Sequence, residues 1–140
     1  MPKLKKAPDF IDPTGIDSFK YWSEVKFVAP TDGDTAWFAF RLGYYVGIEK
    51  QKIRLARINA PEYNRHRPEE TPEGTASRAH LISLLENKPL VMQGIKTRAG
   101  WEKQGSRGRF LGEIYVMDGG EYFNANNRMV ADGHAEWYGK

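Results

Sequence analysis

Three observations predict a mainly β, α+β fold: a five-stranded Greek-key barrel of the OB type, with a helix after strand 3 and a short C-terminal helix. Five short stretches carry the apolar and polar patterning of strands. One stretch of helical period falls after the third of them, and a shorter one follows the fifth. The chain is 140 residues long, 40% hydrophobic and 28% charged, which suits one globular domain with apolar material for one core. Three strands, a helix, two strands and a helix is the element order of the OB barrel, whose face and loops bind oligonucleotides and oligosaccharides.

Residues 1–20 contain Pro2, Pro8 and Pro13, scattered charges and no apolar period, so they are expected to be a flexible N-terminal arm; residues 21–140 form the domain. Residues 22–29 alternate as a strand, residues 31–35 supply a turn, and residues 36–42 return as the second strand of a hairpin. The chain turns loosely around Gly43 to Gly47, and residues 50–58 make the third strand. Asn59-Ala60-Pro61-Glu62 ends it, because Pro61 has no N–H for a central ladder. Polar residues 63–71 read as a surface loop.

The helix that follows has Thr71 as N-cap, Pro72 at its first position and Glu73 at the positive end of the dipole. Ala76, Ala79, Leu81, Ile82, Leu84 and Leu85 supply its apolar stripe, and residues 87–89 stop it. Residues 90–96 make the fourth strand, residues 98–108 a mobile basic loop, and residues 109–117 the fifth strand, turned by Asp118-Gly119-Gly120. Residues 124–132 form the second helix, closed by Gly133.

Composition narrows the function. No run of about 18 apolar residues offers a membrane span, and the N-terminus has no apolar stretch resembling a secretory signal, so a cytoplasmic protein with no membrane partner is expected. The absence of Cys excludes disulfides, thiolate zinc sites and thiol nucleophiles. His66, His80 and His134 lack ligand spacing, so no zinc site is expected. Net charge is only +3, but residues 50–109 hold 13 basic against 6 acidic side chains, a local excess suited to an anionic partner.

Four features bear on chemistry. Asp32-Gly33-Asp34 is either a solvated hairpin turn or a pair of hard oxygen ligands for Ca²⁺ or Mg²⁺. Asn59 and Glu62 flank a rigid turn that aims both at one place, or simply ends a strand in water. Arg54, between Ile53 and Leu55, is either a wet-face arginine or a guanidinium fork for phosphate oxygens. Arg109 follows a basic turn at Arg107-Gly108. Together they are the parts phosphodiester cleavage needs: a group for water, cations for the charge growing on phosphate, and ligands for a divalent ion. Trp37 is the outward-facing aromatic of its strand and a candidate contact, whereas Phe38 and Phe40 build the barrel wall. Trp137 and Tyr138 either stack on a base or pack over the barrel end.

On these residues the chain resembles the staphylococcal-nuclease-like (thermonuclease) family. The resemblance is carried by Asp32-Gly33-Asp34-Thr35, by Ile53-Arg54-Leu55 with residues 58–62, and by Pro72-Glu73-Gly74. Gly108-Arg109 with Leu111 and Tyr115, then Asn126, Met129-Val130 and Gly133-His134-Ala135 continue it, over about residues 23–135. It implies an OB barrel and a Ca²⁺-dependent nuclease, with Mg²⁺ as the other candidate ion, cutting single- or double-stranded DNA and RNA to leave 3′-phosphates, as a monomer. By the same resemblance Arg54 and Arg109 grip phosphate and Glu62 is the general base. Asp34 is a direct metal ligand, Asp32 is second to it, and Ala60 offers its carbonyl to the ion. Asn59 stands where the best-known members have an Asp ligand; an amide oxygen still coordinates, but with one charge fewer, so weaker Ca²⁺ binding or a changed ion preference is expected. Ser106-Arg107 replaces the family's Lys-Tyr pair and removes a stacking ring. The alternative is a catalytically silent OB module that binds nucleic acid or a protein partner.

Overall fold

The computed structural model describes residues 22–95 and 109–138, so the N-terminal arm and the basic loop expected at 98–108 lie outside the described residues. The elements run β1 (Trp22–Asp32), β2 (Thr35–Gly43), β3 (Val46–Leu55), β4 (Ile58–Asn59), α1 (Pro72–Leu85), β5 (Leu90–Gly94), β6 (Phe110–Asp118), β7 (Glu121–Asn124), α2 (Ala125–Ala131) and β8 (Glu136–Trp137). β1, β2 and β3 form an antiparallel meander, and β5 pairs with the other edge of β1. β6 pairs antiparallel with β5 and parallel with β3, which closes the five-stranded barrel β1-β2-β3-β6-β5. Closure removes the exposed sheet edges that would otherwise invite pairing with another chain.

Alternation decides what fills the barrel. On β2, Ala36 and Phe38 are wholly buried while Trp37 is half-buried; on β3, Ile53 and Leu55 are buried while Lys52 and Arg54 lie between them on the outer face. Leu81, Leu84 and Leu85 of α1, Ile114 and Val116 of β6 and Met129 of α2 complete one core. Burying a side chain of this size contributes roughly 1.5–3 kcal/mol, so core packing carries a fold with no disulfide.

The expected helices and all five expected strands are present, with local corrections. The third strand begins at Val46 and stops at Leu55, where residues 50–58 had been expected to continue. Arg57 takes a left-handed backbone conformation, φ 72°, and Ile58–Asn59 leaves as β4 to pair with β8. The loose turn expected at 43–47 is a tight two-residue hairpin in which Gly43 pairs with Val46 and both Tyr44 and Tyr45 have positive φ. Thr71 occupies the cap position of α1 but makes no capping bond; its hydroxyl accepts the Asn64 N–H at 3.1 Å instead. The buried face of α1 is Gly74, Ser77, Leu81, Leu84 and Leu85, and Ala76 and Ala79, expected on the apolar stripe, are exposed, because the helix turns Gly74 to the Glu62 carbonyl and Ser77 to Gly33 and the His134 carbonyl. Asn124 caps α2 by accepting the Asn127 N–H at 3.0 Å. Among the described residues no helix is long and apolar enough to cross a membrane.

Candidate functional site

The β1–β2 turn supplies the acidic side of the site. Asp32 pairs with Thr35, leaving Gly33 and Asp34 as the loop. Asp32 Oδ1 accepts the Asp34 N–H at 3.1 Å, which holds the turn closed. Gly33 is required because a Cβ there would collide with Ser77 of α1 and crowd Ala60. The turn is thereby pressed against both the helix and the strand end that carries Asn59.

Asp34 is 6% exposed, and a buried carboxylate persists only where donors meet it. Its Oδ1 accepts the Thr35 hydroxyl at 2.9 Å and its Oδ2 accepts the Ala60 N–H at 2.8 Å. Arg54 Nη2 stands 3.5 Å from the same Oδ2. Asp32, half-buried beside it, is pushed up to about 7, first by burial and then by the hydrogen bond and negative charge of Asp34. The Asp34 N–H and the Arg54 charge pull the other way.

Arg54 sits on the outer face of β3 with its guanidinium fixed by main chain. Nη1 donates to the carbonyls of Leu55 at 3.0 Å and Ile58 at 2.9 Å, and Nη2 donates to Asn59 Oδ1 at 3.2 Å. The Tyr138 ring lies 5.5 Å from its Cζ. These bonds depend on the chain turning back at residues 56–57, and three side chains hold that turn. Arg57 donates to both Glu113 oxygens, at 2.6 and 2.7 Å, and to Asn127 Oδ1 at 2.6 Å, with the Trp137 ring 5.1 Å from its Cζ. The Glu113 carboxylate keeps the Arg57 guanidinium above its ordinary value. Wholly buried Asn126 donates to Ala56 O at 2.9 Å and Gly112 O at 3.0 Å and accepts the Ile114 N–H at 3.1 Å, tying α2 to the turn and to β6.

Of the residues expected from sequence, Asp34, Arg54, Asn59 and Ala60 are therefore brought into one cluster. Glu62 lies four residues past Ile58 on an exposed segment. Its main chain is seated against α1 because Gly74 has no Cβ; a Cβ there would strike the Glu62 carbonyl. Arg109 is the residue before Phe110, whose register partner is Ile53, so it stands at the start of β6 beside β3, the strand that carries Arg54. Arg57, Glu113 and Asn126 have no assigned role in the sequence reading beyond Asn126 as a motif residue. Only the motif position could have signalled them, since the Arg57–Glu113 pair spans 56 residues.

Neighbouring features serve other ends. A largely apolar pocket of about 290 Å³, lined by Phe40, Leu42, Ile48, Ile53, Met92 and Phe110 with Ser23 and Gln51 at its edge, has no titratable group in its lining. His80 and His134 stack with ring centroids 4.3 Å apart, and His80 Nε2 lies 2.7 Å from Asp132 Oδ2, joining α1 to the end of α2. Among the described residues no three His, Asp or Glu side chains converge as a metal-binding group. Any ion at the cluster would rely on one carboxylate, Asp34, with amide and main-chain oxygens from Asn59 and Ala60. Residues 52–140 match the family described as staphylococcal nuclease homologue. Among curated proteins none matches the chain.

Proposed function

Because the chain belongs to the staphylococcal nuclease homologue family, and so has a nuclease-type, nucleic-acid-binding fold, we propose that it hydrolyses phosphodiester bonds of DNA or RNA with the help of a divalent cation. The observation that carries this reading is the Asp34–Arg54–Asn59 cluster, where a buried carboxylate and a fixed guanidinium share one wall.

The residues fit a hard cation. Asp34 brings a carboxylate, Asn59 an amide oxygen and Ala60 a main-chain oxygen, all hard donors of the kind that Ca²⁺ and Mg²⁺ take. Asp34, Asn59 and the Ala60 carbonyl would hold Ca²⁺ or Mg²⁺, which when bound supplies charge neutralisation at a phosphate oxygen. Arg54 and Arg109 neutralise the other charge that grows on phosphorus. Glu62, exposed and acidic, orients a water and accepts its proton as the water oxygen bonds to phosphorus. The bond from phosphorus to the 5′-oxygen breaks and that oxygen takes up a proton, leaving a 3′-phosphate and a 5′-hydroxyl.

The test is a denaturing gel of single-stranded DNA incubated with the protein in chelator and then with Ca²⁺ or Mg²⁺ restored. Fragments that appear only with metal and carry 3′-phosphates support the reading. Intact DNA under every ion, with binding retained, would instead identify a silent binding module.

A further inference from the structure

Resting on the nucleic-acid reading of the site, we propose that the outer face of β2 and β3 is the path of a single strand. Lys50 and Lys52 hold successive phosphates and Trp37 stacks an unpaired base on the way to Arg54.

Lys52 and Arg54 alternate on the regular part of β3, so their side chains leave the same face about 7 Å apart, and Lys50 precedes them at the register shift between the Phe38 and Phe40 pairings. Trp37 is the direct register partner of Lys52 on β2. The Lys50 and Lys52 Nζ atoms stand 4.6 and 5.0 Å from the Trp37 ring centroid. One aromatic ring under two ammonium groups, in line with a guanidinium, is the combination that single-strand grooves use. Lys26 and Arg41 extend the positive face across β1 and β2, where the acidic neighbours are Glu24, paired loosely with Arg41 at 3.8 Å, and Glu49 near the hairpin tip.

Magnitudes favour exchange when a strand arrives. A cation–π contact at an exposed site contributes only about 0.5–1 kcal/mol. A base stacked on an aromatic ring contributes about 1–3 kcal/mol, and each phosphate neutralised adds counterion release. The ammonium groups therefore move from ring to phosphate and free the ring for a base. A paired base offers no open face, so a duplex gains only the charge contacts.

Fluorescence anisotropy of a labelled oligothymidylate of about 12 nucleotides, within the roughly 4–16 that one OB barrel covers, tests this in chelator, where nothing is cut. The full-length protein should bind with strong salt dependence. Lys50→Ala with Lys52→Ala should reduce the slope of log K against log salt by about 1.4, at roughly 0.7 per phosphate. Trp37→Ala should weaken binding about 10-fold with the slope unchanged, and Trp37→Phe should restore most of it. Lys88→Ala, in the turn between α1 and β5 and beside Asp118, should change nothing. The proposal is overturned if the oligonucleotide does not bind, if affinity and slope survive the double lysine and Trp37→Ala variants, or if a duplex of the same length binds as tightly and ignores Trp37→Ala. Because only binding is read, absence of cleavage with metal would refute the nuclease reading and leave these outcomes separately readable.

Discussion

Arg54 Nη2 stands 3.5 Å from Asp34 Oδ2 and 3.2 Å from Asn59 Oδ1, so the cation meant for phosphate and the oxygens meant for a metal are neighbours. Asn59 is the weak member of that set, an amide where a carboxylate would add charge. Calcium affinity in oxygen sites follows ligand charge, and Asn59→Asp is expected to tighten Ca²⁺ binding about 10-fold. Calorimetric titration of both proteins checks it, and equal affinities would remove Asn59 from the ligand set.

Asp32 makes the metal-free protein sensitive to pH. Its carboxyl holds a proton to about 7 in the folded chain, against an ordinary 3.8. A folded value raised in this way favours folding below the ordinary value and loses that contribution as pH climbs through about 7, where the charge must sit beside Asp34. Asp32→Asn keeps the acceptor for the Asp34 N–H and avoids the charge. Allowing for the water that still screens the half-buried carboxyl, it should gain about 1–2 kcal/mol at pH 8 and nothing near pH 3. Urea melts in chelator at the two pH values measure this difference, and a gain independent of pH would contradict it.

Gly74 positions Glu62 through the main chain. Adding a Cβ at that helix position drives it into the Glu62 carbonyl, so Gly74→Ala should cost about 1–3 kcal/mol and displace the segment that carries the carboxylate. Relative cleavage should fall well below the folded fraction seen by circular dichroism at the same temperature. A loss of activity that only tracks unfolding would show that the contact is purely structural.

Arg57 and Arg54 are three residues apart and differ in kind. Arg57 closes a bidentate pair on Glu113, which is itself 8% exposed, whereas Arg57 is 46% exposed. Removing it leaves a buried carboxylate with the Asn124 amide 3.0 Å away and without its bidentate cation. Arg57→Ala should therefore destabilise by about 2–3 kcal/mol, less than a fully buried pair would lose. A change under 0.5 kcal/mol in a denaturant melt would mean that the turn at residues 56–57 holds without it.

The strands and helices are legible because they rest on local signals, alternation on β2 and β3 and the apolar side of α1, whereas Asp34, Arg54, Asn59 and Ala60 are singled out by the family resemblance, since their local patterns also fit a solvated turn and a wet-face arginine. What was illegible depends on contacts distant in sequence. The break after Leu55 follows from Arg57 meeting Glu113 and from Asn126 bonding Ala56 and Gly112, none of which local pattern reveals. Ala76 and Ala79 match a helical stripe, yet face water because α1 turns Gly74 and Ser77 toward the chain at Glu62 and Gly33, contacts distant in sequence. The terminal aromatics are ambiguous in sequence; pairing of β8 with β4 sets Trp137 over Arg57 and Tyr138 over Arg54.

The account turns on Arg54, and the rate of single-stranded DNA cleavage by Arg54→Ala beside the parent protein, in Ca²⁺ and in chelator, tests it most directly. The parent should cut only with metal, and the variant at least about 100-fold more slowly, the loss expected when one fixed donor to a charged transition state is removed. Equal rates for the two proteins, or cleavage by the parent that persists in chelator, would contradict it.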